Sequence, residues 1–293
     1  MDKRFVGCGR CWRRRSVASA LVVAAVALVA SCGGTDEVPP GSGADTSDPG
    51  LAHVHGLGVE PGSGVLYAAS HYGVFRVPAD GPPERVADRR QDTMGFTIVG
   101  QEHFLGSGHP DPEEADQPNP LGLIESTDGG RTWESVSLAG EVDFHALEAE
   151  HGLVYGYDSQ SQQVMVSNDR ENWDRRASLA MADFAVHPGD PEELLATTQQ
   201  GLARSTDGGR TFAPVPGAPL MVMVDWSAEG GVVGVDPDGG VHSSSDGGTT
   251  WAQRGQVGGA PQAVSTSGPA DVYVATESGI HASQDAGRTF TLR

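Results

Sequence analysis

STDGGRTW, residues 126–133, returns along the chain as STDGGRTF (205–212), SSDGGTTW (244–251) and SQDAGRTF (283–290). A worn copy, SNDRENW (167–173), is one residue short and lacks the glycine. The aspartates Asp128, Asp169, Asp207, Asp246 and Asp285 recur every 38 to 41 residues. A fixed period of that size marks a propeller or a solenoid. The phrase has the chemistry of a hairpin turn. Its Asp can accept hydrogen bonds from backbone N–H groups a few residues on, and Gly takes a positive φ at no steric cost. Thr and an aromatic residue then open a strand.

These turns resemble the Asp-box (BNR) repeats of sialidase-like β-propellers. The resemblance implies that the five aspartates are scaffold rather than site, because function lives in sites grafted onto such folds. Each phrase is preceded by a strand, expected to begin near Gly122, Gln163, Gly201, Gly240 and Gly279. An equivalent begins at Gly73, where the phrase has decayed to PADGPP. Two further apolar runs lie upstream of each. Three strands before the turn and one after make a four-stranded blade. Six such units predict an all-β, six-bladed propeller of four-stranded antiparallel blades over residues 52–293. The blades follow in chain order, with no strand shared where the ring closes. The second blade carries an insertion, GHPDPEEADQPNP (108–120), whose prolines and acids exclude a strand interior.

Residues 1–31 read as an export signal, with a basic start (Lys3, Arg4, Arg10, Arg13, Arg14, Arg15) followed by an Ala/Val/Leu stretch. The run VASC (29–32) resembles a bacterial lipobox, which implies cleavage before Cys32 and lipidation of its thiol. Residues 32–51 form a polar, flexible tether. The expected place is therefore the outer side of a bacterial cytoplasmic membrane, held by lipid alone. Cys8 and Cys11 leave with the signal, so the mature chain has no internal disulfide. Six of the 19 basic residues and one of the 39 acidic ones also leave, which gives 13 against 38 and a net charge near −25. Nucleic acid is excluded as a partner, because phosphate binding needs a basic surface. A monomer is expected.

In a propeller the first strand of each blade lines the channel, and the aspartate turns sit at its far end. The opposite face collects the starts of the first strands. There the first three blades carry His53-x-His55, Asp92-x-Met94 and Asp143-x-His145. A spacing of two keeps each pair on one side of its strand. Turns on the same face add His71 and His109. Blades four to six offer Ala182 or Asp183, Met221 or Met223, and Gln262. His53, His55, His71, Met94, His109, Asp143 and His145 are thus candidate metal ligands. Imidazole with carboxylate suits zinc or copper, and the thioether tilts the choice toward copper. A small polar ligand would suit the same groups.

Two other functions fit the sequence. Asp92 and Asp143 could act as the acid and base of a glycoside hydrolase acting on a glycan. The motifs HVHGL, SGHP and DFH also resemble secreted bacterial lipoproteins labelled glycosyl-hydrolase-like. Sialic acid hydrolysis is not expected, since no arginine stands at the start of an inner strand. Alternatively, the propeller is a non-catalytic scaffold holding a protein partner on its channel face.

Overall fold

A computed structural model of the chain describes residues 49–114 and 116–293. The signal segment 1–31, Cys32 and nearly all of the 32–51 tether lie outside the described residues. Twenty-four strands form six antiparallel four-stranded sheets, each built from consecutive strands. The inner strands are Val54–Val59, Asp92–Gly100, Phe144–Glu150, Asp183–Val186, Met223–Trp226 and Pro261–Thr266. Each packs against the next, and the last against the first, around a central channel. The chain is a six-bladed β-propeller.

Closure needs no exchanged strand. Val54, Leu57 and Ala68 of the first blade pack with Ala263, Tyr273 and Ala275 of the sixth. Val54 N also donates to Gln262 Oε1 at 3.0 Å. Similar apolar layers fill the wedges between other neighbouring blades, such as Tyr67, Phe96 and Phe104 between the first and second. Polar ties run alongside: Phe144 N to Ser107 Oγ (3.1 Å), Val224 N to Asp183 Oδ2 (2.9 Å) and Thr266 N to Asp225 Oδ2 (2.6 Å).

The repeated turn is built around its carboxylate. Ser126 Oγ donates to Asp128 Oδ1 (2.9 Å) and accepts from Gly130 N (2.8 Å). Oδ1 also accepts from the N–H groups of Arg131 (3.0 Å) and Thr132 (2.9 Å), while Thr132 Oγ1 donates to Oδ2 (2.7 Å). The turns of Asp207, Asp246 and Asp285 repeat this pattern. In the worn copy, Asn172 Nδ2 replaces the threonine hydroxyl on Asp169 Oδ2 (2.8 Å). Arg170 there takes the positive φ, 66°, that glycine supplies at Gly129.

The strand starts agree with the sequence pattern to within a residue or two. The largest difference is in the fifth blade, whose inner strand begins at Met223 rather than 221. Met221 is instead buried, with its sulfur where a side chain on Gly234 would project. The insertion begins inside the strand His103–His109, which takes in Gly108 and His109, and the described residues after it form a rim loop. Gly108, at φ 138°, lets that rim approach the Asp92 backbone: a Cβ there would lie 2.0 Å from the Asp92 carbonyl oxygen.

Two outcomes follow from the turns. Ala286 stands where three other turns have glycine and takes φ 60°. Ala286→Gly should raise stability by about 1 kcal/mol in urea unfolding, and an unchanged or lower midpoint would refute that cost. The Asp207 and Asp246 carboxyls are pulled down to about 2, first by the threonine hydroxyl and then by the threonine N–H that each accepts. Their stabilisation is complete above the unfolded value, about 4, and is lost as pH falls toward about 2. Acid unfolding followed by circular dichroism should show that decline, and Asp207→Asn should make it shallower.

Candidate metal centre at the channel mouth

Three of the residues singled out in the sequence line one cavity at the channel mouth, which has room for about 60 Å³ of water. They are His55, Met94 and His145, from the inner strands of blades one, two and three. Asp183 and Met223 of blades four and five join them. The doubt over register in the later blades is thereby resolved in favour of Asp183 and Met223.

The remaining candidates do not all converge on that cavity. The structure sorts the histidines and acids into two groups, one at each junction between the first three blades. At the first junction, His55 Nε2 lies 3.2 Å from His71 Nδ1 and 3.2 Å from Asp92 Oδ1. His71 Nδ1 lies 2.9 Å from the same oxygen. These three atoms form a nearly equilateral triangle. Asp92 Oδ1 is buried, and neither imidazole reaches it with hydrogen-bond angles. Burial alone would raise the Asp92 carboxyl, but His55 and His71 outweigh it and hold the group below its ordinary value.

His53 lies just ahead of the inner strand with φ 50°, a strained conformation for a residue with a side chain. Its ring stacks on His71 (4.8 Å, 19°) and meets His55 edge-on. Gln262 Nε2 lies 3.3 Å from His53 Nδ1, so the sixth blade steadies this ring. One nitrogen from each of His53, His55 and His71 lies within 4.8 Å of the others. Burial, then the neighbouring His55 and His71, push the His53 pKa down and favour the neutral ring that a metal needs.

At the second junction, Asp143 Oδ2 lies 3.0 Å from His145 Nε2 and 3.8 Å from His109 Nε2. Burial would raise the Asp143 carboxyl, but the His145 hydrogen bond leads the groups that bring it below its ordinary value. The single channel-facing set expected from the spacing is thus divided. Asp92 faces the imidazoles of the preceding blade, whereas the imidazole hydrogen-bonded to Asp143 is His145 of its own blade.

Sequence reasoning named Asp183 as one alternative but passed over Glu148 and Asp225. Glu148, Asp183 and Asp225 line the cavity, where no lysine or arginine accompanies them. Burial, followed by repulsion from Asp225 and Asp183, pushes the Glu148 carboxyl up. Burial first, and Asp225 after it, raise Asp183 to about 7, against the hydrogen bonds from Val224 N and Phe184 N. Asp225 is raised by burial despite accepting from both Thr266 N and Oγ1. No motif marks Glu148. The only signal was an acid in an inner strand.

No protein-family profile matches the sequence, and no curated protein matches it either. Among solved structures, the fold is similar to a gluconolactonase of Xanthomonas campestris (TM-score 0.64, 12% identity, covering 80% of this chain and 86% of that one). It is also similar to YCF48 bound to a D1 peptide (TM-score 0.51, 14% identity, covering 83% and 82%). A GH74 xyloglucanase of Xanthomonas campestris gives TM-score 0.54 at 19% identity, and the match covers 83% of this chain but 38% of the enzyme. At these identities the likeness shows the fold alone.

A carboxyl raised to about 7 has a definite pH signature. Between the unfolded value, about 4, and about 7, the folded Asp183 keeps its proton while the unfolded one loses it. Rising pH therefore destabilises the fold across that window. Asp183→Asn should flatten the dependence of the melting temperature on pH from 4 to 7. A wild-type profile that is already flat there would count against the raised carboxyl.

Proposed function

We propose that this chain is an exported, lipid-anchored propeller that binds a transition-metal ion at its channel mouth, through His55, His71 and Asp92. His53 stands by as a fourth donor. The observation that carries the reading is the triangle of two imidazole nitrogens and one carboxylate oxygen, 2.9 to 3.2 Å on a side. Two neutral imidazoles have one N–H each, and each can turn that N–H away from the triangle. Three lone pairs then meet at one point around a buried oxygen that receives no proper hydrogen bond. A metal cation satisfies all three at once. Zinc accepts imidazole and carboxylate at about 2.0–2.2 Å, and copper accepts the same donors with added affinity. The acidic surface attracts cations and keeps anions away.

A glycoside hydrolase using Asp92 and Asp143 draws less support. A general acid must hold its proton near neutral pH, whereas imidazoles hold both of these carboxyls below their ordinary values. A purely protein-binding scaffold would leave the His55–His71–Asp92 triangle without a task.

The test is Zn²⁺ and Cu²⁺ titration of the purified mature chain, without residues 1–31, by calorimetry, with metal analysis of protein prepared without chelators. Losing an outer-shell partner costs about 10–100-fold in metal affinity, so His55→Gln or Asp92→Asn should cost at least that. A wild type that binds neither metal, or variants that bind as tightly as wild type, would sink the proposal. Turnover on a panel of glycosides that is lost in Asp143→Asn would favour the hydrolase.

A further inference from the structure

The propeller repeats not only its turns but the positions around its first metal centre. His53, Asp92 and Asp143 occupy the same place at the mouth of blades one, two and three. Each faces its counterpart across the first hairpin: His71 N donates to His53 O (3.3 Å), His109 pairs with Asp92, and Ser159 N donates to Asp143 O (3.0 Å). Two residues further along the chain come His55, Met94 and His145, which all line the channel. The first centre takes His55 and His71 from blade one and Asp92 from blade two. Advancing every position by one blade gives Met94 and His109 from blade two and Asp143 from blade three.

We propose that Met94, His109 and Asp143, supported by His145, form a second and softer metal-ion site, rotated one blade from the first. It shares no ligand with the first centre and stands independently of it.

The local chemistry supports a cation there. The Asp143 side chain is 7% exposed, and its Oδ1 is buried without a donor. His109 Nδ1 lies 2.7 Å from Asn119 Oδ1. With the amide oriented so, Nδ1 carries the proton and Nε2 of the neutral ring keeps its lone pair. That lone pair faces Asp143 Oδ2 across 3.8 Å. The gap is too wide for a hydrogen bond, yet two metal–ligand bonds of about 2.0–2.2 Å can bridge it. His145 Nε2 and Ser159 Oγ contact the same carboxylate oxygen, at 3.0 and 3.4 Å, and fix its position. This outer shell is the kind that fixes a ligand in place. A thioether in place of the first site's second imidazole shifts preference toward Cu(I).

The proposal also accounts for the insertion at 108–120. Asn119, the orienting partner of His109, lies in that loop, and His109 ends the strand from which the loop departs. The loop is held down by Asp111, which accepts from Arg90 N (2.6 Å) and Glu113 N (3.0 Å), and by the Glu114–Arg89 ion pair (2.5 Å). It sets Asn119 against His109, whose ring lies beside Asp143.

The experiment is a Cu(I) titration of the mature chain, which has lost Cys8 and Cys11 with the signal, under reducing conditions against a colorimetric chelator. Wild type should take two equivalents, His71→Gln one, His109→Gln one and the double variant none. Met94→Leu and Asn119→Ala, which are milder changes, should weaken one of the two equivalents by about 10–100-fold and leave the other unchanged. They carry the test should His109→Gln fail to fold. A single wild-type equivalent that is lost in His71→Gln and kept in His109→Gln overturns the second site and leaves the first standing. Two equivalents indifferent to His109, Met94 and Asn119 also overturn it. One equivalent lost only in His109→Gln supports the second site and sinks the first.

Discussion

A carboxylate that accepts a serine hydroxyl, two backbone N–H groups and a threonine hydroxyl is the constraint on which this molecule rests. Each such turn consumes the donors that would otherwise be left over where the third strand reverses into the fourth. Backbone register is thereby set at the same place in blade after blade. The worn turn shows which part matters. Asn172 replaces the threonine and Arg170 the glycine, yet Asp169 keeps its acceptor role. Geometry is preserved because the acceptor is preserved.

Register at one end of a blade decides position at the other. Once the third strands are aligned, the antiparallel ladders place the starts of the inner strands at equivalent points around the channel. Residues distant along the chain then meet at junctions between neighbouring blades. The apolar wedges make those junctions rigid: Phe96, Phe104 and Tyr67 between the first two blades, Phe144, Leu147 and Leu105 between the next two. A metal centre needs donors fixed to within fractions of an ångström, and packed sheets supply that better than loops do.

The channel is electrostatically divided. At the junctions between blades one to three, Asp92 and Asp143 sit against imidazoles that hold them below their ordinary values. Toward blades four and five, Glu148 of the third blade shares enclosed space with Asp183 and Asp225 without a cationic partner, and burial drives protons onto all three. The difference follows from what lies beside each acid. Such a split gathers the imidazoles on one side of the mouth.

Much of this was legible in the sequence. Spacing of the phrase and the apolar runs upstream of it implied blade number, strand order and the strand Val54–Val59 as observed. The residues that line the mouth, His55, Met94 and His145, were readable as equivalent positions of a repeat. Met221 was not resolved from Met223, because both precede apolar residues and only the space over Gly234 chooses between them. Glu148 was invisible, since nothing local distinguishes an inner-strand acid that faces the channel.

By itself the sequence determined a closed ring of six antiparallel blades and the face on which polar residues gather, because periodic turn chemistry and strand alternation are local properties. The tertiary structure alone decided that the candidate ligands form two groups rather than one. Asp92 meets His55 and His71 of the blade behind it, while Asp143 pairs with His145 of its own blade, and which imidazole each meets depends on how the strands pack. Coulomb attraction falls off over a few ångströms in a polar medium, so only the packed ring could say which charges meet.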